Sequence, residues 1–205
     1  TDLHEVWQSA ENAILAEDGV DPVTGKSWQD LIDLDSWAMD YLTGEIFGNV
    51  DCGSISEYFY LDGQDPSGKI YAGPVWDYDL AVLGAYNAYH ISRPGVYGSH
   101  WQPALFAKEE FYGQLRQTYA SVFRPLLQQL LDMQIDGYAD YIRDSKTADT
   151  MRWLSWDMDE DLRMMKRYLQ DRTALLDRIW TGAEPYIRVT LVDYRDVVSV
   201  YVQEP

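Results

Sequence analysis

The chain has one cysteine, Cys52, in 205 residues, so no disulfide forms within it. A single cysteine leaves the compartment open, because extracellular proteins as well as cytosolic ones can be cysteine-poor. Positive charge is scarce: 16 lysines and arginines face 34 aspartates and glutamates, a net charge of -18. Such a surface repels phosphate backbones and anionic lipid, which argues against nucleic-acid and membrane-surface partners, and it attracts divalent cations. No apolar run reaches membrane-spanning length. The common catalytic signatures are missing as well: no glycine-rich Walker loop, no HExxH, no CxxC and no GxSxG. The three histidines, His4, His90 and His100, are scattered, which excludes a histidine-built zinc site. His100, beside Trp101, reads as structural. There is no internal repeat and no low-complexity stretch.

What the chain does have is apolar and aromatic. Apolar residues make up 46% and aromatics 14%, enough for a globular domain with its own core. Tyrosine and tryptophan dominate the aromatics, and their polar tips suit half-wet clefts. The sequence opens inside a helical pattern without a signal peptide, and the expectation is a piece of something longer.

The first helix is expected over 1–16, with Leu3, Val6, Trp7, Ala10 and Ile14 near helical spacing. "EDGVDPVTGKSW" reads as a turn-rich loop. "DLDSWAMDYLTGEIFGN" predicts a second helix, capped by Asp35 or Ser36 and stopped by Gly48, with Trp37, Tyr41, Leu42 and Ile46 on its apolar face. "SEYFYLD" and "KIYAGPVW" predict a β-hairpin with a six-residue connection, "GQDPSG". An irregular stretch, 85–102, follows. From Pro103 the pattern is helical, with two or three helices before a long amphipathic one, "DMDEDLRMMKRYLQDRTALLDRIW", which Gly182 stops. Pro125 marks a boundary or a first turn. Met158, Met164 and Met165 read as core filling. Cys52 reads as a small buried residue. The end, 183–205, alternates β-branched residues and predicts one or two strands, the start of a following domain. The fold class expected is α+β, mostly helical, around a central hairpin.

The stretch "GPVWDYDLAVLG" places two carboxylates, Asp77 and Asp79, in a greasy segment. Trp76 is expected to be buried there, holding the strand end rigid. A hairpin brings the start of its first strand beside the end of its second. Asp51, in "FGNVDCGS", is therefore expected to face Asp77 across a few ångströms. Hard oxygen ligands gathered this way suit magnesium or manganese and phosphoryl transfer. The same spacing also suits turn capping at Asp79, or the two carboxylates of a glycoside hydrolase. Spacing alone leaves these open.

The segments "DLDSWAMDYLTGEIFGNVD", "EYFYLDG" and "GKIYAGPVWDYDLA" together resemble the CotH (spore-coat protein H) kinase family. "PALFAKEEFYGQLRQTY" and "LQDRTALLDRIW" resemble its later helices. The similarity runs over about 33–180. The resemblance implies a domain, here 1–182, like the carboxyl-terminal lobe of protein kinases, with the amino-terminal lobe missing. It implies ATP and magnesium or manganese as cofactors, a secreted or surface protein as phosphate acceptor, a monomer, and an extracellular or cell-surface location in bacteria. It makes Asp51 the catalytic aspartate and Asp77 and Asp79 the metal-holding pair, and it assigns Asn49 and Glu57 to cofactor binding. Glu57 stands where the family usually has asparagine. No strand-borne lysine precedes the site, so the stretch by itself is expected to bind ATP poorly and to be inactive. Arg172 matches a family position, but an ion pair with a carboxylate is its expected role. The alternative reading is a non-catalytic protein- or glycan-binding module of the same fold, using exposed aromatics between Tyr86 and Trp101.

Overall fold

The computed structural model describes residues 3–49, 51, 55–63, 68–79, 81–82, 101–153, 157–181, 187–189 and 200–202. The architecture is mostly helical with a small antiparallel hairpin, the α+β class expected. None of its described helices is long and apolar enough to cross a membrane.

Helix α1 (Leu3–Leu15) buries Ser9, Ala10, Ala13 and Ile14. The loop after it turns on Asp21, which is buried at 1% exposure. Its carboxylate accepts from the hydroxyls of Ser9 and Thr24, both at 2.6 Å, and from the Asn12 amide at 3.0 Å. These bonds, the Ser9 hydroxyl first, hold the Asp21 carboxyl far below the usual carboxylate range. Gly19 sits at φ 74, and a Cβ there would come within 2.9 Å of the Trp28 ring, so the position demands glycine. A short helix, α2 (Trp28–Leu31), begins at the last residue of the stretch expected to be a loop. Ser27 and Asp30 cap it reciprocally, which is a capping box with aspartate in place of glutamate.

Helix α3 (Leu34–Phe47) carries the core. Its cap is Asp33, whose carboxylate accepts from the Ser36 amide at 2.9 Å, rather than Asp35 or Ser36. The backbone turns helical at Leu34, two residues earlier than a cap at Asp35 would allow. Trp37, Tyr41, Leu42 and Ile46 are all buried, as the spacing predicted. Each such side chain contributes about 1.5–3 kcal/mol through burial. Gly48 ends α3 in the left-handed conformation at φ 64.

Strands β1 (Phe59–Leu61) and β2 (Ile70–Ala72) pair antiparallel, Tyr60 opposite Tyr71. They are shorter than expected, so the connection covers 62–69. The hairpin is fastened to the start of α3. The Trp37 indole and the Asp33 amide both donate to the Ile70 carbonyl, at 3.0 and 2.9 Å, and the Ala72 amide donates to the Ser36 hydroxyl at 3.2 Å.

Helix α4 (Gln102–Phe106) leads to a helical run without a break from 109 to 153. It comprises α5 (Glu109–Thr118), a π-helical turn (Tyr119–Phe123), α6 (Arg124–Gln129), a second π turn (Leu130–Gln134) and α7 (Ile135–Trp153). Pro125 sits in the first turn of α6, one of the two places expected for it, and the helical run continues through it. The first π turn widens the ladder just before it, with the Arg124 amide donating five residues back to Tyr119, so the ring is accommodated without a break. Helix α8 (Met158–Trp180) starts at Asp157, whose carboxylate accepts from the amides of Asp159 and Glu160. Met165 packs on a small cluster of Ile135, Tyr168 and Leu169. Met164 is 43% exposed, so it does not fill the core. The main core gathers α1 to α6, β2, the first π turn and the end of α8 around Trp28, Leu42, Leu115, Tyr119, Leu176 and Trp180. In the tail, β3 (Ile187–Val189) and β4 (Val200–Val202) form an antiparallel pair. Gly182, Cys52, His90 and His100, and the irregular stretch up to Trp101, lie outside the described residues.

Candidate functional site

The site begins where α3 stops. The left-handed Gly48 turns the chain sharply, and the amide of the following residue, Asn49, donates to the Gly44 carbonyl at 3.0 Å. Asn49 is buried at 2% exposure. Its side-chain oxygen accepts the Asp51 amide at 3.1 Å, an Asx turn that aims Asp51 outward. Asp51 is half-buried, and its carbonyl accepts from the Ile55 amide at 3.0 Å. Asn49 thus uses its carbonyl oxygen to position Asp51.

The second acidic segment arrives from β2. The Gly73 amide donates to the Tyr58 carbonyl at 2.7 Å, which keeps the end of the hairpin paired. Three residues later Trp76 is 58% exposed and packs edge-on against Tyr58, ring centroids 6.0 Å apart. The expected burial of Trp76 is therefore not found: its neighbours Val75 and Asp77 are exposed too, and among the described residues no core closes over that ring. The residue that anchors the segment is Tyr78, half-buried and edge-on to Phe47 at 6.5 Å. The Val82 amide completes the attachment by donating to the Phe47 carbonyl at 2.9 Å.

Asp77 holds φ 61, in the left-handed region. Aspartate tolerates this region better than most residues, and non-glycine residues there merit a functional question. Its carboxyl is raised above the ordinary range. The charge of Asp79 is the largest cause, followed by a hydrogen bond with Asp79, some loss of hydration and the charge of Asp51. Asp51, Asp77 and Asp79 are therefore close enough to interact. This is mutually repelling negative charge, which a hard cation relieves. The donors fit magnesium or manganese in type, since all are carboxylate oxygens. Among the described residues, no three acidic, imidazole or thiol side chains are drawn together tightly enough to form a ready metal cage. The arrangement is a contacting pair, Asp77 and Asp79, with Asp51 at longer electrostatic range.

Glu57 belongs to a different group. It precedes β1, half-buried, and its carboxyl is pushed up to about 7, first by burial and then by the charge of Asp40, against a hydrogen bond from Gln102. Asp40, on α3, is pushed up to about 6 by burial. The partners described for Glu57 are thus Asp40 and Gln102, from α3 and α4, rather than the three aspartates. Asp40 was missed in the sequence. Its signal is the helical spacing from Ser36, which places both residues on the side of α3 that receives the hairpin.

A buried ion pair supports the site from behind. The Arg172 guanidinium, at 0% exposure, donates to the Glu45 carboxylate at 2.8 Å and twice to the Glu45 carbonyl, at 3.0 and 2.7 Å. The Tyr41 hydroxyl donates to the other Glu45 oxygen at 2.9 Å. This is the ion pair expected of Arg172, and it pins the last turn of α3, from which Asn49 and Asp51 follow, to α8. No protein-family model, curated protein or solved structure matches the chain.

Proposed function

We propose that this chain belongs to a CotH-like, kinase-related domain of the cell exterior that, in the intact protein, moves phosphate from ATP to secreted or surface proteins, the stretch by itself being inactive. Asp77 and Asp79 hold magnesium or manganese against the phosphates, and Asp51 orients the acceptor hydroxyl. The single observation that carries this reading is that Asp77 adjoins Asp79 and feels, as the smallest of its influences, the charge of Asp51, which lies 26 positions before Asp77 in the sequence. In phosphoryl transfer there is little covalent work for the protein. Its task is positioning and charge compensation, which is what fixed carboxylates around a cation supply.

The chain's own residues divide that task. Asn49 sets the direction of Asp51. Tyr78 and the Val82–Phe47 bond hold the Asp77–Asp79 segment against α3. Asp77 sits in a backbone conformation that makes its side chain leave the chain at an unusual angle. The cation, when bound, shields the charge of the phosphates.

Manganese titration followed by electron paramagnetic resonance tests the reading. One manganese is expected to bind, and Asp77→Asn is expected to release it while the far-ultraviolet dichroism stays unchanged. Transfer from radiolabelled ATP, assayed on the intact natural protein, is expected to be lost in Asp51→Asn and in Asp77→Asn. Undiminished transfer in both variants removes these residues from the chemistry. A second reading, a non-catalytic module that binds a protein or glycan, draws on the exposed Trp76 and Tyr58, at 58% and 48%. Binding that depends on Trp76 and ignores Asp51 would favour it.

A further inference from the structure

Between α1 and the hairpin lies a cleft of about 410 Å³, lined by Leu3, His4, Trp7, Phe59, Tyr60 and Ile70. None of these residues belongs to the aspartate group. Trp7 and Phe59 meet edge to face, centroids 5.1 Å apart and planes at 62°, so their rings form two sides of a corner. Leu3 and Tyr60 form the rim, 58% and 48% exposed. A separate tight crevice shares Trp7 and Ile70 as walls and is lined also by Glu11, Trp37 and Trp101. The Glu11 carboxylate accepts from the Trp101 indole at 3.3 Å. A carboxylate thus stands behind an aromatic corner, in a protein of net charge -18.

We propose that this cleft binds an organic cation of the alkylammonium class, its methylated head seated in the Trp7–Phe59 corner. Aromatic faces carry the negative end of the ring quadrupole and attract a cation. A quaternary ammonium has no N–H bonds to satisfy, so apolar walls accept it where they would reject a metal ion or a primary amine. Glu11 and the negative field of the whole protein add attraction at longer range. The same field disfavours anionic ligands. The volume suits a small head group, within the range of known small-molecule pockets. A neutral ligand of the same shape would meet the same walls but gain nothing from the rings' quadrupoles or from Glu11.

Titration of the full chain with choline, and with the uncharged isostere in which carbon replaces nitrogen, tests this. The measurement is made in saturating magnesium, so that the aspartate group is occupied. Two signals are read: tryptophan fluorescence and the ring-proton resonance of His4, at the cleft mouth. Choline is expected to shift both saturably, and the isostere several-fold more weakly. Trp7→Leu should weaken choline roughly 2- to 30-fold, the range that loss of one ring face implies. If Trp7→Leu does not fold, Glu11→Gln carries the test: choline weakens, the isostere does not, and the salt dependence of choline binding falls. Asp77→Asn should leave choline binding unchanged, which keeps the result independent of the kinase reading. Equal affinity for choline and its isostere, the absence of a saturable His4 shift with choline, or binding of adenosine or a neutral sugar in place of choline would each overturn the proposal.

Discussion

The amide of Val82 donates to the carbonyl of Phe47 at 2.9 Å, closing the segment that carries Asp77 and Asp79 onto the end of the helix that leads to Asp51. One backbone bond thus links the two acidic stretches. Tyr78 packs on the ring of the same Phe47. The group of three aspartates depends on this junction more than on the hairpin strands, which end at Ala72.

Replacing Asp77 tests the group directly. Asp77→Asn keeps a side chain that tolerates φ 61 and removes the charge. Manganese affinity is expected to fall by at least about tenfold, the lower end of what losing even a supporting group at a metal costs. Asp77→Val adds backbone strain in the left-handed region and should also lower the melting temperature, which Asp77→Asn should not. Scanning calorimetry separates the two effects.

The Glu45–Arg172 pair should prove costly to break. Both residues are fully buried, so Arg172→Met leaves the Glu45 carboxylate and carbonyl short of donors. The expected loss is about 3–5 kcal/mol, read from urea denaturation. The double variant Glu45→Gln with Arg172→Met should lose less than the sum of the two single losses. In both Arg172→Met and the double variant, manganese binding should weaken as well, because the last turn of α3 loses its anchor to α8.

The Asp40–Glu57 pair makes stability depend on pH in a defined direction. In the folded protein their carboxyls are raised to about 6 and about 7, from ordinary values of 3.8 and 4.5. The folded state therefore holds protons that the unfolded chain has released, and stability falls as pH rises. The contribution is fully present below the unfolded values and is lost as pH climbs from about 4 through about 7. Its size is on the order of 1–2 kcal/mol once solvent screening is allowed for. Urea midpoints at pH values on either side of this window should show the decline. Glu57→Gln should flatten the profile and stabilise the protein on the alkaline side. A flat profile in the unmodified chain would contradict the assignment.

Trp76→Ala separates the two functional readings. The ring is 58% exposed, so unfolding free energy should change by less than about 0.5 kcal/mol. On the kinase reading, manganese binding should change little as well. On the binding-module reading, partner affinity should collapse while manganese binding stays intact. Surface plasmon resonance against extracellular proteins and glycans provides that measurement.

Much of the architecture is written in local pattern. The period of Trp37, Tyr41, Leu42 and Ile46 places α3, glycine at 48 ends it, and the paired aromatic runs mark the hairpin, because these signals act between near neighbours. Other features were not legible. Glu57 meets Asp40 and Gln102 because α3, β1 and α4 converge, and residues 40, 57 and 102 share no local pattern. Pro125 lies in a first helical turn, as the pattern allowed, but the π turn that joins this helix to the one before it leaves no strong mark in composition. Trp76 looked buried because it is large and apolar, and exposure depends on what the rest of the chain lays over a residue. The sequence by itself determined the longer helices, the glycine stop of α3 and the charge of the chain, since each follows from a residue and the few beside it. Only the tertiary structure decided which carboxylates share an environment, because that depends on distances between elements that local pattern does not encode.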